Sequence, residues 1–207
     1  MSDDQIKQAV YYADNIMTYH NALGAELQHL LDALSAGGDV QPPKYTIYNQ
    51  RDPRWAADRL GTSNTTIGSD GCLITSYASA VSDAGRKIQP DELNTWLIAN
   101  NGYVSGNHFV FSAPDRLGVL LFDKIVDYNN PAPVAAMNEY INAGGYILVM
   151  VDFNPDPAMQ QHWCRYIGAG EIIDPWYGDV SELTPRYRGK NAAEAIWRAA
   201  YYKKVSA

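Results

Sequence analysis

Three residue types that carry out acyl transfer occur in this chain where the local sequence can present them. Cys72 stands in "IGSDGCLITSYASAVSDAG" (residues 67 to 85), directly after Gly71 and at the head of a segment that reads as a helix. A cysteine attacks carbonyl carbon only as thiolate, and a helix N-terminus favours that form through its unpaired N–H groups. Those first-turn N–H groups can also hold an oxyanion. Gly71 permits the sharp turn and close approach that such a site needs. The competing reading of Cys72 is a small buried residue, since free cysteines are commonly core residues.

A nucleophilic thiol needs a base, and the chain has four histidines. His20 and His29 lie in the N-terminal segment, and His108 opens a strand in "SGNHFVFS". His162 begins "HWCRYIG", which is followed by the turn Gly168-Ala169-Gly170-Glu171 and by "IIDPW". A hairpin centred near Gly168 sets His162 opposite Asp174, about 5 Å apart at Cβ, where a carboxylate can orient an imidazole. Pro175 then ends the strand. Singly, His162 reads equally as a satisfied strand histidine, and Asp174 as a turn-capping residue. Together with Cys72 they follow the thiol–imidazole–carboxylate logic of acyl transfer. Gln50 is a neutral amide able to donate to an oxyanion without adding charge; its other reading is a surface glutamine before a turn.

Further residues frame this set. Trp163 and Trp176 flank the two proposed catalytic residues, either shielding them from water or filling core. Cys164 shares a strand face with His162 and is expected to pack beneath the site. Asp152 and Asp156 in "VDFNPDP" read either as an exposed strand-end loop or as the rim of a groove, with Gln160 and Gln161 then near substrate. Asp70 and Gly71 border the thiol. Cys72, His162 and Cys164 match no zinc-motif spacing, so no metal site and no cofactor are expected. "GTSNTTIGSDG" lacks the lysine of a phosphate loop.

The elements that must position these residues are legible in outline. Residues 3 to 36 carry apolar positions Ile6, Ala9, Ala13, Ile16, Leu23, Leu27, Leu30 and Leu34, a heptad seam interrupted at His20. Such a seam predicts a self-associating coiled coil, or a helix packed on its own domain. "SAGGDVQPPK" ends it, leaving residues 37–44 as a linker and 45–207 as a domain. Within the domain, helices are expected over "CLITSYASAVSDAG", "PDELNTWLIANN" and "PAPVAAMNEYINAGG". Strands follow over "YILVMVDF", "QHWCRYIG", "EIIDPW" and "AAYYKKV". Helices first and strands later give an α+β class.

The pieces "NQRDPRWAADRLGTSNTTIGSDGCLITSYASAV", "HWCRYIG" and "IIDPWYG" together resemble the papain-like cysteine peptidases of the double-glycine-leader type, and most of all their stand-alone bacterial and phage branch. The resemblance spans Gln50 to Trp176 and implies a papain-like fold. It implies Cys72 as nucleophile, His162 as general base, Asp174 as its orienter and Gln50 as oxyanion donor. Substrate contacts are expected from Asp70, Gly71, Gln161, Trp163 and Trp176. Two features depart from the pattern. Gln50 lies 22 residues before Cys72, farther than in papain-like enzymes generally, with Asp70 or a backbone amide as alternative donors. Cys164 replaces an aliphatic residue. The implied substrate is a peptide, with peptidoglycan peptides the preferred setting. The rival reading is a non-catalytic attachment protein that binds peptide or glycan.

The totals bound the partners. A net charge of -7 over 207 residues argues against general nucleic-acid binding. No stretch approaches a membrane span, and "MSDDQIKQ" is no signal peptide. The expectation is cytoplasmic synthesis, homo-oligomerisation through the N-terminal helix, and virion association or release to act on the cell wall.

Overall fold

The computed structural model describes Gly24 and residues 44–128, 131–153 and 160–205. The expected coiled coil over residues 3–36 lies, Gly24 apart, outside the described residues. Tyr45–Ala207 form one of two units in the chain, and every residue discussed below belongs to that unit.

Short α1 (Ile67–Asp70) opens with a capping box in which Thr66 and Ser69 satisfy each other's backbone N–H groups. Gly71 separates it from α2 (Cys72–Ala84), which Gly85 ends at φ 123°. Helix α3 (Pro90–Ala99) starts on a Gln89–Glu92 capping box with proline in its first turn. A two-stranded ribbon follows, β1 (Tyr103–Val104) and β2 (His108–Phe109), then a 3₁₀ turn over Ala113–Leu117 and strand β3 (Leu120–Asp127). Helix α4 (Val134–Asn142) precedes β4 (Gly145–Asp152), β5 (Gln161–Gly168), β6 (Glu171–Asp174) and β7 (Asp179–Glu182). Strand β8 (Arg198–Lys204) closes the six-stranded sheet in the order β3-β8-β4-β5-β6-β7, antiparallel throughout.

The fold is thus a mixture of helices and an antiparallel sheet. The near-continuous apolar run of β4 has a direct cause, because both faces of the sheet are covered. Leu148 and Met150 join a core with Tyr77, Val81 and Tyr202 of the α2 side. Ile147, Val149 and Val151 join a second core with Met137 of α4, Cys164 and Leu183. One expectation changes: strand β3 precedes α4, so helices and strands are not strictly segregated along the chain. Helix α2 is buried almost all round, Ile74 to Ser82 without a break. Its small polar residues make this possible by bonding outward. Ser76 donates to the Trp163 carbonyl at 3.1 Å, and Arg165 donates to the Ser79 carbonyl at 3.2 Å and to Asp83 at 2.6 Å. These bonds fix the register of α2 against β5, and with it the place of Cys72.

Candidate active site

His162 and Asp174 meet: Nε2 of the imidazole lies 3.0 Å from Oδ1 of the carboxylate, with both residues buried. The route differs from a simple cross-strand pair. Strands β5 and β6 pair Arg165 with Ile173 and Tyr166 with Ile172, with a register shift before Gly168 and Glu171. The turn uses Gly168, Ala169 and Gly170, all at positive φ, so its centre falls beyond Gly168. Carried one pair further, that register sets Asp174 opposite Cys164, and His162 reaches the carboxylate as a diagonal neighbour on the same face.

Asp174 accepts four hydrogen bonds. Oδ1 takes His162 Nε2 and the Trp176 N–H at 3.0 Å; Oδ2 takes Arg186 Nη1 at 3.2 Å and the Tyr187 hydroxyl. Burial opposes its charge, but the His162 bond and charge, the Tyr187 bond and the Arg186 charge outweigh it and hold the carboxyl below its usual range. Burial also opposes a charge on His162. Against it, Cys164 and the hydrogen bonds with Asp174, Cys164 and Cys72 hold the imidazole well above its ordinary value. Cys164 itself is pushed up to about 12, by burial first and by the Asp174 charge second. It is therefore a neutral thiol at neutral pH, which leaves Asp174 as the anion that supports an imidazolium.

With Nε2 committed to Asp174, Nδ1 is the ring nitrogen left for another partner, and the Cys72 thiol lines the same cleft as His162. Gly71 has an ordinary φ of -82°, yet a Cβ there would stand 2.4 Å from the Ile67 carbonyl oxygen. Only glycine lets α1 close this tightly before Cys72. The Gly68 carbonyl accepts from Gln50 Nε2 at 3.0 Å, and the next backbone bond of the helix start joins Thr75 N–H to Gly71. The first-turn N–H groups from Cys72 onward retain helix-start character.

Gln50 is buried, although 22 residues from Cys72 in sequence. Its segment is stapled to the turn after Asp174: Gln50 N–H donates to the Pro175 carbonyl at 2.7 Å, Arg51 Nε to the Trp176 carbonyl at 3.1 Å, and Asn49 Nδ2 to the Tyr177 carbonyl at 3.2 Å. Arg51 also lies over the Trp176 ring at 4.4 Å. One N–H of the Gln50 amide serves Gly68, and Oε1 is buried without a partner.

Two clefts meet at the thiol. One, of about 280 Å³, is lined by Gln50, Asp70, Cys72, Gln161, His162 and Trp176, with Ser69, Phe153 and Gln160. The other, of about 380 Å³, shares Asp70, Cys72 and Gln161 and adds an aromatic wall of Phe109, Phe111 and Trp163. Asp70, Gln161, Trp163 and Trp176 thus border the site. Gly71 does not: it is buried against Ile67 and lines neither cleft. Trp163 does not cover the His–Asp pair either, because alternation turns it to the α2 face, where it packs on Phe111 at 5.6 Å. The rings beside His162 are Phe153 at 5.2 Å and Tyr187 at 5.6 Å, with Trp176 edge-on to Phe153 at 5.1 Å. Asp152 is buried rather than exposed, accepting the Gln160 N–H at 3.1 Å and facing Arg188 at 3.5 Å; Asp156 lies outside the described residues.

Arg186 and Tyr187 are the residues that sequence reasoning missed. "TPRYRG" carries no spacing signal, and the only hint is that a buried carboxylate requires donors. Donor atoms of His162, Cys164 and Asp174 lie within 4.8 Å of one another, all buried. The Asp174 oxygens are already taken by four donors and its charge is met by Arg186, so this set fits a hydrogen-bonded relay better than a cation site.

Neither a protein-family model nor a curated protein matches the chain. Among solved structures, it is similar to a candidate C39-like peptidase from Bacillus anthracis, at 15% identity and a TM-score of 0.43, over 78% of this chain and 99% of that one.

Proposed function

We propose that this protein is a cysteine peptidase or amidase working through Cys72, His162 and Asp174. The single observation that carries the reading is the fully satisfied His162–Asp174 pair, 3.0 Å apart, in the cleft that Cys72 also lines. In this reaction the Cys72 Sγ attacks a peptide-type carbonyl carbon, and the C=O electron pair moves to oxygen. Gln50 Nε2–H and first-turn backbone N–H groups receive that oxyanion. As the tetrahedral carbon collapses, its bond to nitrogen breaks and the imidazolium gives its proton to the leaving amine. Neutral His162 then takes a proton from water as its oxygen attacks the thioester carbon; the C–S bond breaks, its electron pair goes to sulfur, the acid product leaves, and the proton on His162 restores the thiol. The two clefts flanking Cys72 suit the two sides of an extended peptide. The papain-like relationship read from the sequence agrees with this use, and peptidoglycan peptides of a bacterial or phage setting are the proposed substrates. The N-terminal heptad seam is the proposed oligomerisation element, and a monomer mass in sedimentation of the full chain would remove it.

The test is labelling of Cys72 by iodoacetamide, followed by mass spectrometry, in wild type and His162→Ala. Faster labelling of the wild type at neutral pH, together with hydrolysis of a peptide in a library digest, supports the reading. Equal labelling rates, with no product from any substrate, would sink it and favour an attachment role.

A further inference from the structure

Asp174 faces Asp179 directly across the β6–β7 pair. Like charges directly opposite are destabilising, and the structure answers with one cation. Arg186 donates to Asp179 at 2.6 and 2.8 Å and to Asp174 at 3.2 Å, and lies over the Tyr177 ring at 4.4 Å. The cluster therefore holds two carboxylates and one guanidinium, and it is one positive charge short until His162 is protonated. Tyr187 touches both partners: its hydroxyl donates to Asp174 Oδ2 and its ring packs on the imidazole.

Building on the peptidase reading, we infer that Arg186, Tyr187 and Asp179 are positioning residues for the His162–Asp174 pair. Tyr187 and Arg186 occupy Oδ2 and so keep Oδ1 aimed at the imidazole. Asp179 holds most of the Arg186 charge away from Asp174, so that the imidazolium completes the charge balance. Burial, followed by the Asp174 charge and hydrogen bond, drives the Tyr187 phenol far up, so the hydroxyl stays a donor across the working range. The titratable groups facing the imidazole are Cys72 from α2, Cys164 from its own strand, Asp174 from β6 and Tyr187 from the segment after β7. Arg186 and Asp179 lie behind Asp174, Asp70 shares the cleft, and the Asp152–Arg188 pair lies at the end of the neighbouring strand.

The experiment measures Cys72 alkylation across pH, at low and high salt, with thermal melts alongside. It uses the full-length wild type, His162→Ala, Tyr187→Phe, Asp179→Asn and Asp179→Glu. Tyr187→Phe keeps the ring and loses one bond to a charged group, so labelling at neutral pH should slow about tenfold. Its acid limb should move to higher pH, because Asp174 loses a donor that favours its charge. Asp179→Asn should slow labelling about two- to fivefold at low salt and less at high salt, and Asp179→Glu should restore it. A merely structural role would lower melting temperatures without moving these profiles. If His162→Ala slows labelling while Tyr187→Phe and Asp179→Asn match wild type, the positioning inference falls and the peptidase reading stands. If His162→Ala itself matches wild type, both fall. Should Tyr187→Phe fail to fold, the Asp179 pair decides, since that side chain is 43% exposed.

Discussion

Replacing Asp174 by Asn keeps the shape of the side chain and removes its charge. Both oxygens now accept two hydrogen bonds each, so an amide NH₂ at either position confronts two donors. Placed at Oδ1, it opposes the imidazole and the Trp176 N–H. Placed at Oδ2, it meets Arg186 and a tyrosine hydroxyl that can turn to accept. The second orientation is favoured, because Arg186 keeps Asp179. An unsatisfied buried donor costs about 1–3 kcal/mol, and a folded domain has about 5–15 kcal/mol in hand, so the variant should fold with a lower melting temperature. The chemical loss is larger in effect. An opposite charge at this range stabilises an imidazolium by about 1.4–4 kcal/mol, so the thiolate–imidazolium population should fall about 10- to 1000-fold. The assay is iodoacetamide labelling of Cys72 near pH 7, with hydrolysis measured in parallel. Cys164, fully buried, should stay unlabelled until the chain is denatured. A folded Asp174→Asn protein that labels at the wild-type rate would refute the reasoning.

Other outcomes follow from the same geometry. Gln50→Ala should lower turnover about 10²- to 10³-fold, as for loss of an oxyanion donor, while slowing Cys72 labelling far less, because the His162–Asp174 pair does not bond the amide, whose one hydrogen bond here is to Gly68. Gly71→Ala places a Cβ 2.4 Å from the Ile67 oxygen and 2.8 Å from its Cα; calorimetry should show a melting temperature lower by about 2–12 °C, from about 1–3 kcal/mol of overpacking. The two members of the buried pair give stability opposite pH limits. The lowered Asp174 value contributes stability that is present above the unfolded pKa of about 3.9 and lost as pH falls through the folded one. The raised His162 value contributes stability complete below about 6.5 and lost as pH rises through its folded value. Urea titrations from pH 3 to 10 should therefore show both declines, and His162→Phe should lack the alkaline one.

The sequence was most legible where chemistry and turn residues coincide. Gly71-Cys72 and His162 before a glycine-rich turn could be placed on a helix start and a strand start, and the turn placed Asp174 on the returning strand. The register could not be read to the residue, because the turn uses three positive-φ positions and a bulge, which moved the direct partner of Asp174 from His162 to Cys164. The burial of helix α2 was not legible for a related reason: Ser76, Ser79 and Ser82 are buried, and their partners are strand and loop atoms distant in sequence or beyond the helix end. Gln50 illustrates the long-range case: the Pro175, Trp176 and Tyr177 carbonyls, more than a hundred residues away, help to hold its segment beside the site. Arg186 and Tyr187 lie in a segment without periodicity. Their role exists only because a carboxylate is buried opposite them, and no local pattern encodes that need.

The measurement that bears most directly on Cys72 as a nucleophile is capture of the acyl intermediate. Wild type and Cys72→Ala are incubated with a peptide library and with purified cell-wall peptides, quenched in acid, and analysed by mass spectrometry. New cleavage products are expected from wild type alone, with a substrate acyl group on the Cys72-containing fragment. Equal products from the Cys72→Ala protein, or hydrolysis with acyl groups found only elsewhere, would contradict it.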